Sequence, residues 1–154
     1  MRVEEHLHNQ AATHVSDLTR TQIRSVLQQT QKRGHWTSVQ LRREILRQLA
    51  DLGWSDPVRI HKDSKISITS IFGQTGLCLQ TGNMSRFYAD LIKLETLFRN
   101  KHISGAVYLI PLKGFAVKLG SNIANFERFV EELVIFEATV TVPLAIYGFA
   151  GEDK

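Results

Sequence analysis

The sequence predicts one α/β domain of the mixed (α+β) kind, in which helices flank a central mixed sheet of about four or five strands. The chain has 154 residues and 43% of them are hydrophobic, which is enough for the core of a single domain. Apolar residues recur at helical spacing near the N-terminus, and short apolar or alternating runs bounded by turn residues follow. We therefore expect one domain over residues 1–154, with a mainly helical front at 1–54 and a sheet-containing core at 57–149.

The first predicted helix covers residues 15–33, where apolar side chains fall close to helical spacing. Thr19 and Gln22 have the spacing of a capping box, and Gly34 is a typical helix stop. We interpret this segment as a surface helix with one buried face.

A second capping box, formed by Thr37 and Gln40, predicts the start of another helix, which ends at Gly53. One broad face of this helix is apolar and comprises Val39, Leu41, Ile45, Leu46, Leu49 and Leu52. Its other face carries three arginines, Arg42, Arg43 and Arg47. We interpret these arginines as a solvated surface, with a phosphate-binding stripe as the alternative.

The sheet-containing core is predicted to open with a hairpin. Residues 57–60 and 66–72 contain β-branched and alternating side chains, as strands do. A turn-rich segment at 73–76 separates them from a further strand-like run at 77–80. This order predicts an antiparallel hairpin.

Helices and strands alternate through the rest of the chain. Ser85 is predicted to cap a helix that runs to Arg99, and its apolar face is broad enough to require a sheet as its partner. The uninterrupted apolar run at 106–111 predicts a central strand covered on both faces. After a glycine-containing loop, Ser121 is predicted to cap a further helix, and residues 140–149 supply the final strand.

The composition limits the classes of function. The net charge is +4, and the surplus lies in residues 1–65, which hold eleven basic and seven acidic side chains. This balance permits contact with nucleic acid. A single cysteine excludes an internal disulfide. The N-terminus does not resemble a signal peptide, and no apolar run approaches the roughly 20 residues of a membrane span, so we expect a cytoplasmic protein with no membrane contact.

Histidines are the other residues that could suggest a metal site. His6, His8 and His14 lie near the N-terminus without further ligand types, so we interpret them as part of a frayed terminal segment. His61 stands beside Lys62, and we interpret the two as a surface pair rather than a general base and its neighbour. The sequence therefore predicts no metal site from histidines.

Several segments, in their order and spacing, resemble type II restriction endonucleases of the BglII and BamHI kind. The longer segments are QTGN at 80–83, FYADLIK at 87–93 and ISGAVYLIP at 103–111. The shorter pieces are Gly53-Trp54, residues 120–122, residues 125–128, residues 142–144 and Gly148. The resemblance implies a PD-(D/E)XK, restriction-endonuclease-like core, a symmetric homodimer around duplex DNA, and phosphodiester hydrolysis assisted by magnesium.

The residues that would carry catalysis depart from the pattern of that family. The resemblance places the first acid at Thr69, or at Ser70 if the hairpin register slips, and the second acid at Cys78. Gln80 alone keeps a residue of the family's pattern, and no Asp or Glu occurs from 64 through 89. Carboxylates are needed to bind a hard cation that activates water. We therefore expect no cofactor, with magnesium bound only if activity persists, and we interpret Cys78 as a core residue.

Other residues could supply parts of the missing function. Asp63 precedes the hairpin and Glu95 lies on the helix that follows it, so either acid could be a displaced metal ligand. Candidates for DNA contact, placed as the resembling fold would place them, are Asn83, Lys93, Lys113, Lys118, Ser121 and Asn122.

Three hypotheses follow from these residues. The first is a catalytically impaired homologue that retains duplex DNA binding or pairs with another subunit. The second is an active magnesium-dependent endonuclease with a displaced carboxylate. The third is a dimeric interaction protein without a nucleic-acid role. Fold resemblance does not choose among them, because function depends on the site.

Overall fold

The protein is described by a computed structural model over residues 1–30 and 37–151. The helices and strands, in chain order, are β1 (Arg2–His8), α1 (Ala11–His14), α2 (Asp17–Gln29), α3 (Ser38–Asp51), β2 (Val58–Arg59), β3 (Ser67–Ile68), β4 (Ser70–Phe72), β5 (Thr75–Leu79), α4 (Arg86–Arg99), β6 (Gly105–Pro111), α5 (Lys113–Leu119), α6 (Phe126–Ile135) and β7 (Leu144–Ala150).

Five strands form one mixed sheet in the order β1-β7-β6-β5-β4. Strands β5, β6 and β7 are parallel, whereas the edge strands β1 and β4 are antiparallel to their neighbours. Strands β2 and β3 form a separate small ribbon. The predicted fold class, a mixed sheet flanked by helices, is confirmed, and so is the antiparallel hairpin, which joins β4 to β5.

Strand β6 lies at the centre of the sheet, as its apolar run predicts, and every residue of it is buried. Its side chains alternate between two cores: Tyr108 and Ile110 belong to one, and Val107 and Leu109 to the other. Helices α4 and α6 cover the first face, and α1, α2, α3 and α5 cover the second. A strand covered on both faces needs apolar residues at every position, which explains the uninterrupted pattern.

The N-terminal segment is the edge strand β1, so the expectation of a frayed terminus is wrong. Arg2 pairs with Ala150 and His8 with Leu144 in an antiparallel ladder. The His8 ring is buried, and its Nε2 donates a hydrogen bond to the Val140 carbonyl at 2.6 Å. Edge strands are often polar, which protects them from pairing with other chains. The charges and histidines of this strand therefore hid it from a search for apolar alternation.

The N-cap of helix α2 lies three residues before Thr19, the predicted cap. Ser16 is its N-cap, and the Ser16 side chain accepts a hydrogen bond from the Thr19 backbone N–H at 3.1 Å. Thr19 therefore contributes a donor to the cap and is not the cap itself. The helix ends at Gln29, and the predicted stop at Gly34 lies outside the described residues.

Helix α3 begins at the capping box that the sequence predicts. The Thr37 hydroxyl accepts from the Gln40 N–H, and the Gln40 side chain accepts from the Thr37 N–H. The predicted apolar face is too wide, however, because Val39 and Leu52 are 62% and 40% exposed. A helix presents only a limited arc to its neighbours, and these two residues fall at its margin.

The segment after β6 differs most from the prediction. Residues predicted to form a loop make helix α5, whose Gly114 lowers the helical signal. Ser121 does not cap a helix; the cap of α6 is Asn125, whose side chain accepts from the Arg128 N–H at 3.1 Å. Both residues are good N-cap types, so local sequence alone did not separate them.

None of the helices in the described ranges is long and apolar enough to cross a membrane.

Candidate functional site

A cleft of about 640 Å³ lies where strand β5 ends, between helices α3 and α4. Its walls come from four parts of the chain: α3, the loop and strand before the hairpin, the end of β5 and its following loop, and α4. The lining residues are Ser38, Val39, Arg42, Pro57, Ser67, Ile68, Thr69, Leu79, Gln80, Thr81, Gly82, Arg86, Ala89, Asp90 and Lys93. The carboxyl ends of parallel strands commonly form ligand sites in open sheets.

The hairpin register determines which predicted positions reach the cleft. Ser70 pairs with Leu77, so Thr69 lies opposite Cys78 across the ladder. The Thr69 hydroxyl lines the cleft and accepts a hydrogen bond from the Leu79 N–H at 3.1 Å. Ser70 is buried instead, and its hydroxyl donates to the Ser55 carbonyl at 2.6 Å. Of the two alternatives for the first acid position, the structure therefore brings Thr69 to the cleft.

Cys78 is 1% exposed and belongs to the core between the sheet and helix α4, as the sequence predicts. Burial raises the pKa of its thiol, and the nearby Asp90 carboxylate raises it further. The thiol therefore stays protonated at neutral pH and is neither a soft metal ligand nor a nucleophile.

The carboxylate that does reach the cleft belongs to Asp90, a residue that the sequence-based prediction missed. Asp90 is 8% exposed, and its Oδ2 accepts hydrogen bonds from Gln80 Nε2 at 2.8 Å and from Tyr108 Oη at 2.9 Å. Its Oδ1 accepts from Lys93 Nζ at 3.3 Å. One sequence signal could have found it: Asp90 occupies the apolar face of α4, where Phe87 and Leu94 are also buried.

Gln80 is held by both ends of its amide. Its Nε2 donates to Asp90, and its Oε1 accepts from the Gly82 N–H at 3.0 Å. Burial raises the pKa of Tyr108, and the negative charge of Asp90 raises it further. Tyr108 is thus a hydrogen-bond donor at neutral pH, and neither it nor Gln80 is free to act as a base.

The cleft carries more positive than negative charge. Arg42 reaches from α3 to the end of β5, and its Nη1 donates to the Leu79 carbonyl. Desolvation lowers the pKa of Arg42, although the Asp90 charge opposes this shift; an arginine remains charged under such conditions. Arg86 and Lys93 line the same cleft from α4. Among the described residues that line it, Asp90 is the one carboxylate.

These residues do not fit a magnesium ion. Mg²⁺ requires nearly octahedral oxygen coordination and is usually held by one or two carboxylates that are available to it. Asp90 already accepts hydrogen bonds from three donors, one of them a lysine. Over residues 1–30 and 37–151, no group of three or more His, Cys, Asp or Glu side chains could hold a metal.

The two acids proposed as displaced ligands lie away from the cleft. Asp63 is in an exposed turn, 3.9 Å from the Nδ1 atom of His61. Glu95 accepts hydrogen bonds from both backbone N–H groups of residues 141–142 and forms an ion pair with Arg99. Partial burial acts to raise the pKa of Glu95, but these hydrogen bonds outweigh it and lower that pKa below its usual value. Glu95 thus anchors the loop before β7.

The candidates for DNA contact lie around the carboxyl ends of the parallel strands. Lys93 lines the cleft, and Lys118 lines a second cavity together with Arg2. The Asn122 carbonyl accepts from the Met84 N–H, and Asn83 forms a bridge with Ile123. Ser121 is exposed beside this junction, and the Lys113 N–H donates to Glu127 at 2.7 Å. Backbone hydrogen bonds therefore join the loop after β5 to the loop before α6 at these strand ends.

Comparisons with known proteins agree with this architecture. Residues 3–149 match the sequence profile of the family described as restriction endonuclease BglII/BglIII. A crystal structure of restriction endonuclease BglII complexed with a DNA 16-mer has a TM-score of 0.86 and 14% identity, and the match covers 100% of this chain and 80% of that chain. A crystal structure of free BglII has a TM-score of 0.78 and 15% identity, covering 100% and 82%. No curated protein sequence matches.

The profile match covers nearly the whole chain, and the five-stranded mixed sheet with helices on both faces matches the fold of the solved BglII structures. The chain therefore belongs to the BglII/BglIII restriction endonuclease family.

Proposed function

We propose that this protein binds duplex DNA on the surface around the carboxyl ends of the parallel strands β5, β6 and β7, and that it does not hydrolyse the DNA. The observation that carries the proposal is that no described residue lining the cleft offers a carboxylate that is free to bind a metal ion. The positions where the resemblance expects acids are Thr69 and Cys78, and the remaining carboxylate, Asp90, is bound by Gln80, Tyr108 and Lys93. A solved member of the same fold is complexed with DNA, which supports a DNA ligand. Such a ligand also suits the cytoplasmic location that we expect.

The charge of the cleft supports both halves of this proposal. Three cations, Arg42, Arg86 and Lys93, favour the approach of a phosphate, since phosphate contacts supply most of the affinity of non-specific DNA binding. Hydrolysis assisted by a metal needs carboxylates that hold the ion and lower the pKa of its bound water. With its carboxylate already bound by protein donors, the cleft does not activate water.

The proposal is tested by measuring binding and cleavage on the same preparation. Fluorescence anisotropy with a labelled duplex in EDTA should show binding whose affinity falls steeply with salt. Supercoiled plasmid incubated with Mg²⁺ should remain intact over hours at micromolar protein. Reproducible nicking that disappears on chelation of Mg²⁺ would contradict the loss of hydrolysis. Absence of binding at low salt would instead favour the interaction protein without a nucleic-acid role.

An active enzyme with a displaced carboxylate is the second candidate, and the position of Asp90 gives it a specific form. Asp90 lies beside Gln80, whereas Asp63 and Glu95 do not line the cleft. If nicking is found, Asp90→Asn should abolish it and Asp63→Asn should leave it unchanged.

We propose further that the protein forms a homodimer through the outer surface of α4 and α6. An apolar patch is exposed there, formed by Ile92, Val134, Ile135 and Phe136, which are 68%, 62%, 76% and 40% exposed. The two helices meet at this patch, because Tyr88 of α4 contacts Phe136, which follows α6, with ring centroids 6.1 Å apart, and Ile92 lies one turn further along α4. Contiguous exposed apolar surface commonly marks a protein interface.

Sedimentation velocity tests the homodimer. Ile135→Asp should shift the protein toward monomer at micromolar concentration, since a charge in an apolar interface is costly. Val117→Asp is the matched control, because Val117 is 74% exposed on α5, which covers the other face of the sheet. A wild-type protein that sediments as a monomer at high micromolar concentration would exclude this homodimer.

A further inference from the structure

We propose that the cleft beside Gln80 binds one backbone phosphate of duplex DNA directly through Arg42, Arg86 and Lys93, so that fixed cations of the chain replace the divalent ion. This inference rests on the proposed DNA binding. It adds the site, the ligand group and the expectation that binding requires no metal. Its basis is the geometry of the three cations and the state of the single carboxylate among them.

Arg42 is positioned by the backbone and still has hydrogen-bond donors to spare. Its Nη1 donates to the Leu79 carbonyl at the end of β5, which fixes the guanidinium in the wall of the cleft. A guanidinium has five N–H donors, and the described residues provide no further hydrogen bond to this one. Because Arg42 lines the cleft, its remaining donors are available to a ligand there. A phosphate there would receive the planar, two-donor contact for which arginine is well suited.

Arg86 lies on the opposite wall, at the start of α4. Its Nη1 lies 3.6 Å from the point that a Cβ at Gly82 would occupy, so the guanidinium covers the backbone of the loop after β5. Its side chain forms no ion pair or hydrogen bond with the described residues. Because Gly82 has no side chain, the space between Arg86 and Gln80 stays open; a Cβ there would lie 3.1 Å from Gln80 Oε1.

Lys93 contacts Asp90, but Asp90 does not depend on it. Gln80 and Tyr108 already supply two hydrogen bonds to Asp90 Oδ2, whereas the Lys93 contact to Oδ1 is longer, at 3.3 Å. An ammonium group has three donors, so Lys93 can keep this contact and still reach a phosphate. One carboxylate among three cations leaves the cleft with a net positive charge.

The sign of this charge has a consequence for the metal requirement. A cleft lined with acids repels a phosphate until a cation neutralises the acids, so binding there depends on the metal. A cleft with surplus positive charge attracts the phosphate by itself, and a divalent ion would be repelled by Arg42 and Lys93. We therefore expect chelation to leave DNA affinity unchanged and millimolar Mg²⁺ to weaken it through ionic competition.

The test is DNA affinity as a function of salt, measured by fluorescence anisotropy in EDTA. The double variant Arg42→Gln/Lys93→Gln should bind more weakly, and the slope of log K against log salt should decrease by about 0.9 per chain for each phosphate that the variant no longer neutralises. Lys101→Gln is the matched control. Lys101 is exposed between the end of α4 and the start of β6, at the opposite end of the parallel strands, and its replacement should leave the slope unchanged. Arg42→Lys keeps the charge and should keep most of the slope.

The outcomes separate this inference from the function on which it rests. A wild-type protein that binds duplex in EDTA, with a double variant that has the same affinity and slope, would overturn the phosphate site and leave DNA binding intact. A wild-type protein that needs Mg²⁺ or Ca²⁺ to bind would also overturn it. A wild-type protein that binds no duplex under any condition would end the proposed function itself. If the double variant does not fold, the single variant Lys93→Gln replaces it in the same salt titration, because Lys93 is partly exposed and its replacement should not prevent folding.

Discussion

Replacing Asp90 with alanine removes the carboxylate that holds Gln80, Tyr108 and Lys93 together, and the structure allows the cost to be worked out. Gln80 Nε2 and Tyr108 Oη would each remain buried without an acceptor. A buried unsatisfied donor costs about 1–3 kcal/mol, so the two donors together cost about 2–6 kcal/mol. Lys93 is partly exposed and stays solvated without its partner, so loss of this ion pair adds little. We therefore expect Asp90→Ala to lower the free energy of unfolding by about 4 kcal/mol, while leaving the fold class unchanged.

Urea unfolding followed by tryptophan fluorescence measures this effect, since Trp54 is 4% exposed and reports on the core. Tyr108→Phe removes one of the donors and should cost about 1 kcal/mol. Glu131→Ala is the control; this exposed residue on α6 should change stability by at most about 0.5 kcal/mol. A loss below about 1 kcal/mol for Asp90→Ala would refute the reasoning, because the donors would then have found other acceptors.

The conservative variant Asp90→Asn distinguishes a structural acid from a metal ligand. It keeps the shape and one acceptor oxygen but removes the negative charge that faces the phosphate site. We expect its DNA affinity in EDTA to exceed that of the wild type. We also expect Mg²⁺ to raise the melting temperature of neither protein; a rise seen only in the wild type would identify Asp90 as a metal ligand.

Three further predictions concern other parts of the molecule. Glu95→Gln should destabilise the protein at neutral pH; because the folded-state pKa of Glu95 is lowered, its contribution is present above the unfolded-state pKa, and the difference from wild type should shrink as pH falls through the folded-state pKa in urea titrations. The Cys78 thiol should not react with a disulfide reagent until the protein unfolds, because it is buried and its pKa is raised; rapid reaction in the native state would contradict this. Asn125→Ala should cost about 1 kcal/mol in thermal unfolding and Ser121→Ala close to nothing, since Asn125 caps α6; equal effects would refute that assignment.

The fold could be predicted from the sequence wherever its signal is local. The capping box of α3 depends on two residues three positions apart, and the buried state of β6 on one continuous apolar run. Strand β1 was missed because an edge strand needs few apolar residues, and α5 because a glycine weakens its helical signal. These misses have the same cause: pairing with β7 and packing on the sheet decide those segments more strongly than local preference does.

For the candidate site, the sequence determined that no Asp or Glu stands between residues 64 and 89. Only the tertiary structure decided which side chains meet in the cleft. Asp90 meets Gln80 and Tyr108 across ten and eighteen residues, and Arg42 reaches Leu79 across 37. Such contacts join different elements and leave no periodic trace in the sequence, because hydrogen bonds form between atoms that folding brings together, whatever their separation along the chain.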